Sequence, residues 1–266
     1  MAGVTKPNVV LEVCVDTIDG AVAAQQGGAD RIELCASLFE GGITPSAATI
    51  EVARHHLTIG INVMIRPRGG DFCYSELEQA VMRRDVEIAK DLGADGVVIG
   101  ALLPDASIDQ DLTADLIRLA RPLSVTFHRA FDLTPDPAAA LDTLIALGVD
   151  RLLTSGQEAS ALEGSDLIAA LVQQAADRIV VMAGGGIHER NIARIVHLTA
   201  VPEAHMSGRS LVESPMTARN SRVSMGGALH FPDYQRWSTG QDRIHKARAQ
   251  LNTILAQSAS RNRFTG

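Results

Sequence analysis

Short apolar, β-branched runs recur along the chain and alternate with longer segments of helical period. Strand-like runs lie near 9–16, 30–36, 61–67, 96–102, 124–131, 151–155, 178–183 and 203–208. Helix-like segments lie between them, near 19–27, 45–56, 76–91, 111–120, 136–147, 163–176 and 189–198. Several helices end on the same signal, a glycine followed at once by the next strand: Gly27-Gly-Ala-Asp30, Gly93-Ala-Asp-Gly96 and Gly148-Val-Asp150. Glycine reaches the left-handed conformation that ends a last helical turn. Thr44-Pro-Ser and Thr134-Pro-Asp-Pro mark helix starts.

Eight strands separated by helices predict a closed parallel (β/α)8 TIM barrel of the α/β class over residues 1–210, with an open doubly wound sheet as the alternative. Residues 211–266 break the pattern. Ser224-Met-Gly-Gly-Ala-Leu reads as a loop, 240–257 as a C-terminal helix packed on the barrel, and 258–266 as a polar, frayed tail.

Composition agrees with this architecture. The chain has 266 residues and is 46% hydrophobic but only 3% aromatic, so Val, Ile, Leu and Ala must fill the core, as suits strands buried on both faces. A net charge of -7 without a long basic run speaks against nucleic acid as a partner. No apolar stretch approaches membrane-spanning length, and Met1-Ala-Gly-Val-Thr-Lys-Pro lacks the apolar core of a signal peptide. Three cysteines without regular spacing suggest reduced thiols, not a disulfide framework, and a cytoplasmic protein.

Alternation along each strand predicts what points into the barrel. The inward sets are Glu12, Cys14 and Asp16; Arg31, Glu33 and Cys35; Asn62, Met64 and Arg66; Ser124, Thr126 and His128; and Glu203, His205 and Ser207. Such an interior is polar where barrels are commonly filled with Val, Ile and Leu. Buried charges must pair. Glu12, Glu33, Arg66 and His128 are therefore expected to form a network near the C-terminal mouth, either closing the barrel or presetting a pocket. In the catalytic reading, His128 is the acid or base, Glu12 or Asp132 its partner, and Arg66 an anion holder. Arg68 and Arg129 would help hold a phosphate or carboxylate. Loops after the seventh and eighth strands, with Gly185, Gly186, Ser207 and Arg209, occupy the recurrent anion position of these barrels. This reading implies a small anionic metabolite as ligand. His55, His56, His188, His197, His230 and His245 have no metal-ligand spacing and read as surface or loop residues.

Several blocks resemble the CutC family: Leu11-Glu-Val-Cys-Val-Asp16, Gly27-Gly-Ala-Asp-Arg-Ile-Glu-Leu-Cys35, Glu40-Gly-Gly-Ile-Thr-Pro-Ser46, Met64-Ile-Arg-Pro-Arg-Gly-Gly-Asp-Phe72, Thr126-Phe-His-Arg-Ala-Phe-Asp132, Leu153-Thr-Ser-Gly156 and Ala183-Gly-Gly-Gly-Ile187. The resemblance runs from about residue 9 to about residue 228. It implies a TIM barrel, a cytoplasmic homo-oligomer (dimer or tetramer) and a role in copper homeostasis with Cu(I) binding through two cysteines matching Cys14 and Cys35. Cu(I) favours soft sulfur ligands. The two thiols share inward parity on neighbouring strands, and Met64 offers a thioether. The alternative is that both are buried cysteines acting as small hydrophobes. Cys73 reads as an exposed loop thiol. His205-Met206-Ser207 stands where some relatives have His-Cys-Ser.

Overall fold

The structure is a computed structural model and describes residues 9–225 and 232–263, with side chains in the last helix described through Ile254. Eight parallel strands close into a barrel: β1 (Val10–Val15), β2 (Arg31–Leu34), β3 (Gly60–Met64), β4 (Gly96–Ile99), β5 (Ser124–Phe127), β6 (Arg151–Thr154), β7 (Val180–Ala183) and β8 (Glu203–Met206). β8 pairs with β1, which closes the ring and excludes the open sheet. Around it run α1 (Ile18–Gln26), α2 (Ala47–His56), α3 (Glu76–Asp91), α4 (Gln110–Ala120), α5 (Pro137–Leu147), α6 (Ser165–Ala175), α7 (Ile192–Thr199) and α8 (Gln241–Arg263).

Local chemistry sets these boundaries. The Ser46 hydroxyl accepts from the Thr49 amide at the start of α2, and Ser75 and Glu78 form a reciprocal capping box on α3. Asp136 caps α5, with Pro137 in its first turn and Gly148 at φ 77° after its end. After α1 the left-handed residue is Gly28 (φ 93°) and not Gly27, whose φ is -75°. The outward strand residues Leu11, Val13, Ile32, Leu34, Ile61 and Val63 are fully buried under the helices.

Two segments depart from the sequence expectation. The fifth strand ends at Phe127 instead of running on to residue 131. The His128 ring accepts the Ala130 amide, and the chain turns into a 3-10 helix over Arg129–Leu133. Beyond β8, the chain forms an antiparallel two-stranded sheet of β9 (Arg209–Glu213) and β10 (Gln235–Thr239) where a loop was expected. Of the loop expected at 224–229, residues 226–229 lie outside the described residues, as does His230. α8 begins one residue later than expected and stays helical to Arg263, through most of the tail expected to fray. It buries Ile244, Ala247 and Leu251 and packs between α7 and α1, as the eighth helix of the ring. Among the described residues, no helix is long and apolar enough to cross a membrane.

Candidate functional site

The interior is organised in tiers. Near the N-terminal ends of the strands, Arg31 of β2 lies between two carboxylates: its Nε is 2.5 Å from Glu12 Oε2, and its Nη2 pairs with Glu203. Arg151 of β6 also grips Glu203, at 2.5 and 3.1 Å, and donates to Thr126 Oγ1 at 3.2 Å. Asn62 donates to Glu12 Oε2 at 3.0 Å. Burial opposes charge on Glu12, but Arg31, His205 and Arg151 together outweigh it and hold the carboxyl below its ordinary value. Two arginines against two glutamates make a self-neutralising floor.

One tier up, parallel register sets Cys14 of β1 beside Glu33 of β2, and Glu12 beside His205 of β8. His205 Nε2 lies 3.0 Å from Glu33 Oε2 and 3.9 Å from Glu12 Oε1. Ligand atoms of Cys14, Glu33 and His205 all lie within 4.8 Å of one another, and all three residues are buried. Burial works against charge on His205. Cys14 and Glu33 overcome it and hold the imidazole well above its ordinary value, so the ring is an imidazolium. Glu33 Oε1 has no hydrogen-bond partner. Cys35 packs in the same small cluster with Cys14, Leu38, Met64 and Val98, and its sulfur lies 4.0 Å from the Glu33 carbonyl oxygen. Burial first, then Glu33 and Cys14, push the Cys35 thiol well above the usual range, so it stays protonated.

Above this group a cavity of about 340 Å³ opens at the C-terminal mouth. Its wall includes Cys14, Glu33, Met64, His205 and Met206, and higher up Arg66, His128, Arg129 and Arg209. The guanidinium of Arg66 donates to the carbonyls of Glu40, Gly42 and Gly70 at 2.8–3.0 Å and lies over the Phe72 ring. His128 is buried against Phe72, with ring centroids 5.0 Å apart. Burial, reinforced by Arg66, lowers its pKa to about 3. The ring is therefore neutral. Because Nδ1 accepts the Ala130 amide at 3.1 Å, its proton resides on Nε2.

The expected four-residue network of Glu12, Glu33, Arg66 and His128 does not form. Glu12 belongs to the floor, Glu33 to His205, Arg66 to loop carbonyls and His128 to its own turn. Strand parity placed them all inward but carried no information on height, and partners nearer each residue's own height take up its charge. Of the expected catalytic set, only Arg66 and His128 line the cavity. Asp132 is turned aside, accepting from Thr154 and from the amide and hydroxyl of Ser155 and pairing with Arg129 at 2.7 Å. Of the expected anion-holding set, Arg129, Gly185, Gly186, Ser207 and Arg209 line the cavity, whereas Arg68 points away to Glu78 and Asp71. Glu33 and His205 were read as inward but not as companions of Cys14; only the strand register could have shown it. Cys73 is exposed, as are His55, His56, His197 and His245, and His188 is half-buried.

A family model described as the CutC family matches residues 9–210. The chain is 50% identical over 246 residues to a copper homeostasis protein cutC homolog of Homo sapiens, covering 92% of this chain and 90% of that one. It is 48% identical over 246 residues to a CutC family protein of Bacteroides thetaiotaomicron, covering 92% and 96%. Among solved structures, a CutC protein from Streptococcus agalactiae superimposes with a TM-score of 0.72 at 35% identity, covering 75% of this chain and 98% of that one.

Proposed function

The chain belongs to the CutC family, and from that premise we propose that it binds Cu(I) at the base of the barrel mouth as part of copper homeostasis. One observation carries the reading. Cys14, Glu33 and His205 converge to within 4.8 Å, buried, at the bottom of an open cavity. Cu(I) favours thiolate, with imidazole and thioether as further donors. Cys14 supplies the thiolate, and His205 the imidazole by releasing the proton it holds in the metal-free site, and Met64 and Met206 lie on the same wall. Glu33 is a hard donor. Its role here is to hold the imidazole in place, as carboxylates behind metal-bound histidines do. Cys35, neutral and packed beside Cys14, is the second thiol that the family resemblance selects, and it would join only by giving up its proton. A reducing, cytoplasmic setting suits the three free thiols. Homo-oligomeric assembly suits the two-stranded sheet, where the cross-strand partners Leu211 and Trp237 are each 45% exposed.

The test is an anaerobic Cu(I) titration of reduced protein against a competing chelator. Wild type should bind one equivalent. Cys14→Ser and His205→Gln should each weaken binding by about 100-fold or more, since each removes a direct ligand. Cys35→Ser separates a two-thiolate site from a thiolate–imidazole site. Binding indifferent to Cys14 and His205 alike sinks the proposal. Preference for Zn(II) over Cu(I) would reassign the metal, because a Cys–His–Glu set also suits zinc.

A further inference from the structure

Two of the three arginines on the upper wall of the cavity, Arg66 and Arg209, meet no carboxylate among the described residues, whereas Arg129 pairs with Asp132. Arg66 is 6% exposed, and all three of its hydrogen bonds go to carbonyl oxygens. Among the described residues, the guanidinium of Arg209 has no hydrogen-bond or ion-pair partner. This contrasts with the floor below, where each buried arginine meets a glutamate. A buried cation without a counter-ion is costly, and such a charge beside an open cavity suits an anion supplied from outside.

A second observation points the same way. Two buried donors on this wall have no acceptor: Arg66 Nε and His128 Nε2. The Ala130 amide occupies His128 Nδ1, so the neutral ring offers an N–H at Nε2. A buried N–H without a partner is disfavoured, and both residues line the cavity. On the far side, Gly185 and Gly186 adopt φ of 97° and 68° and bring main chain to the cavity edge beside Ser207 and Arg209. No backbone oxygen accepts the amides of Gly185 or Gly186 among the described residues.

We propose that this cavity binds a small organic anion, a phosphate or carboxylate on a short chain bearing a neutral oxygen acceptor. Arg209 and the Gly185-Gly186 turn hold the anionic group, and His128 and Arg66 donate to the neutral oxygen. At about 340 Å³ the cavity suits a molecule of a few carbons. His128 is here a neutral hydrogen-bond donor and not a charged partner, which leaves the anionic group to the arginines and backbone amides. The inference stands apart from the copper reading, since it uses none of the proposed metal ligands.

The experiment is calorimetric titration of reduced, chelator-treated protein with glycerol 3-phosphate, glycerate, inorganic phosphate and glycerol, at matched ionic strength. One of the two organic anions should bind about tenfold or more tighter than inorganic phosphate, and glycerol should not bind. Whichever of the two binds tells phosphate from carboxylate. Arg209→Ala should weaken that binding about tenfold or more, and Arg209→Lys should recover part of it. Thermal unfolding of each variant confirms that it is folded. Failure of both organic anions to bind, or equal binding by wild type and folded Arg209→Ala, overturns the proposal. Because the protein is metal-free, neither result bears on Cu(I) binding.

Discussion

Two buried histidines line the same mouth in opposite protonation states. His205 stands on the wall built by β1, β2 and β8, facing Cys14 and Glu33, and is held protonated. His128 stands at the end of β5 beside Arg66 and is held neutral, with its pKa lowered to about 3. Burial disfavours charge on both rings, so it does not explain the difference. The partners do: Cys14 and Glu33 on one side, a guanidinium on the other. One cavity thus has a wall of sulfur, imidazole and carboxylate donors suited to a cation, and a wall with unpaired guanidinium groups suited to an anion.

The widest break in this comparison would come from the floor on which both walls rest. Arg31→Met leaves Glu12 buried with Asn62 and the more distant His205 and Arg151. It should lower stability by about 3–5 kcal/mol in urea denaturation at neutral pH. A loss below about 1 kcal/mol would mean that the walls do not depend on the floor. Glu33→Gln should act next, and on one wall alone. The His205 imidazole, followed by NMR, should lose much of its raised pKa, and Cu(I) affinity should fall about 10–100-fold. A His205 titration unchanged in that variant would assign its charge to Cys14 alone.

Acid should then separate the walls. For His205, raised above its unfolded value, the stabilisation is full below about pH 6.5 and is lost as pH rises through the folded value. For His128 the sign reverses. Below about pH 6.5 the unfolded chain takes up a proton that the folded ring refuses down to about 3, so stability falls with falling pH. Between pH 7.5 and 5 this term amounts to about 2 kcal/mol. His128→Gln should remove that part of the slope and leave the rest; equal slopes in both proteins would show that His128 is not held neutral. The smallest effect belongs to Arg68→Ala. Arg68 is 36% exposed at the side chain and bonded to Glu78 and Asp71, away from the cavity. Its removal should cost under about 1 kcal/mol and leave organic-anion binding intact, and weakened binding would bring it into the site.

Much of the fold was legible because its signals are local. Strand length, helix period and the glycine stops at Gly93 and Gly148 each act within a few residues, and together they give the order of a (β/α)8 chain. Strand parity rests on nearest neighbours too, and it placed Glu12, Cys14, Glu33 and His205 inward. The height of each residue within the barrel depends on the stagger between strands, which no single strand encodes. That stagger seats Cys14 opposite Glu33, whereas Cys35 lies two residues further along, past the end of β2. The β9–β10 sheet was illegible for another reason. Gln235-Arg-Trp-Ser-Thr239 is mostly polar, and its partner lies more than twenty residues away in sequence.

The eighth helix of the ring also sets a timetable. Arg248 of α8 donates to the carbonyls of Gly28 and Val9 and pairs with Asp30, so the last helix fastens the first β–α unit. On the ribosome, β1 emerges long before its neighbour β8 and its cover α8 are made. At about 5–20 residues per second, β1 waits roughly 10–40 s with one edge unpaired. An apolar strand held open that long is a target for chaperones and for wrong partners. Newly made chains stalled before residue 241 should therefore be the aggregation-prone form of this protein, while the finished chain, with its ring closed, should not.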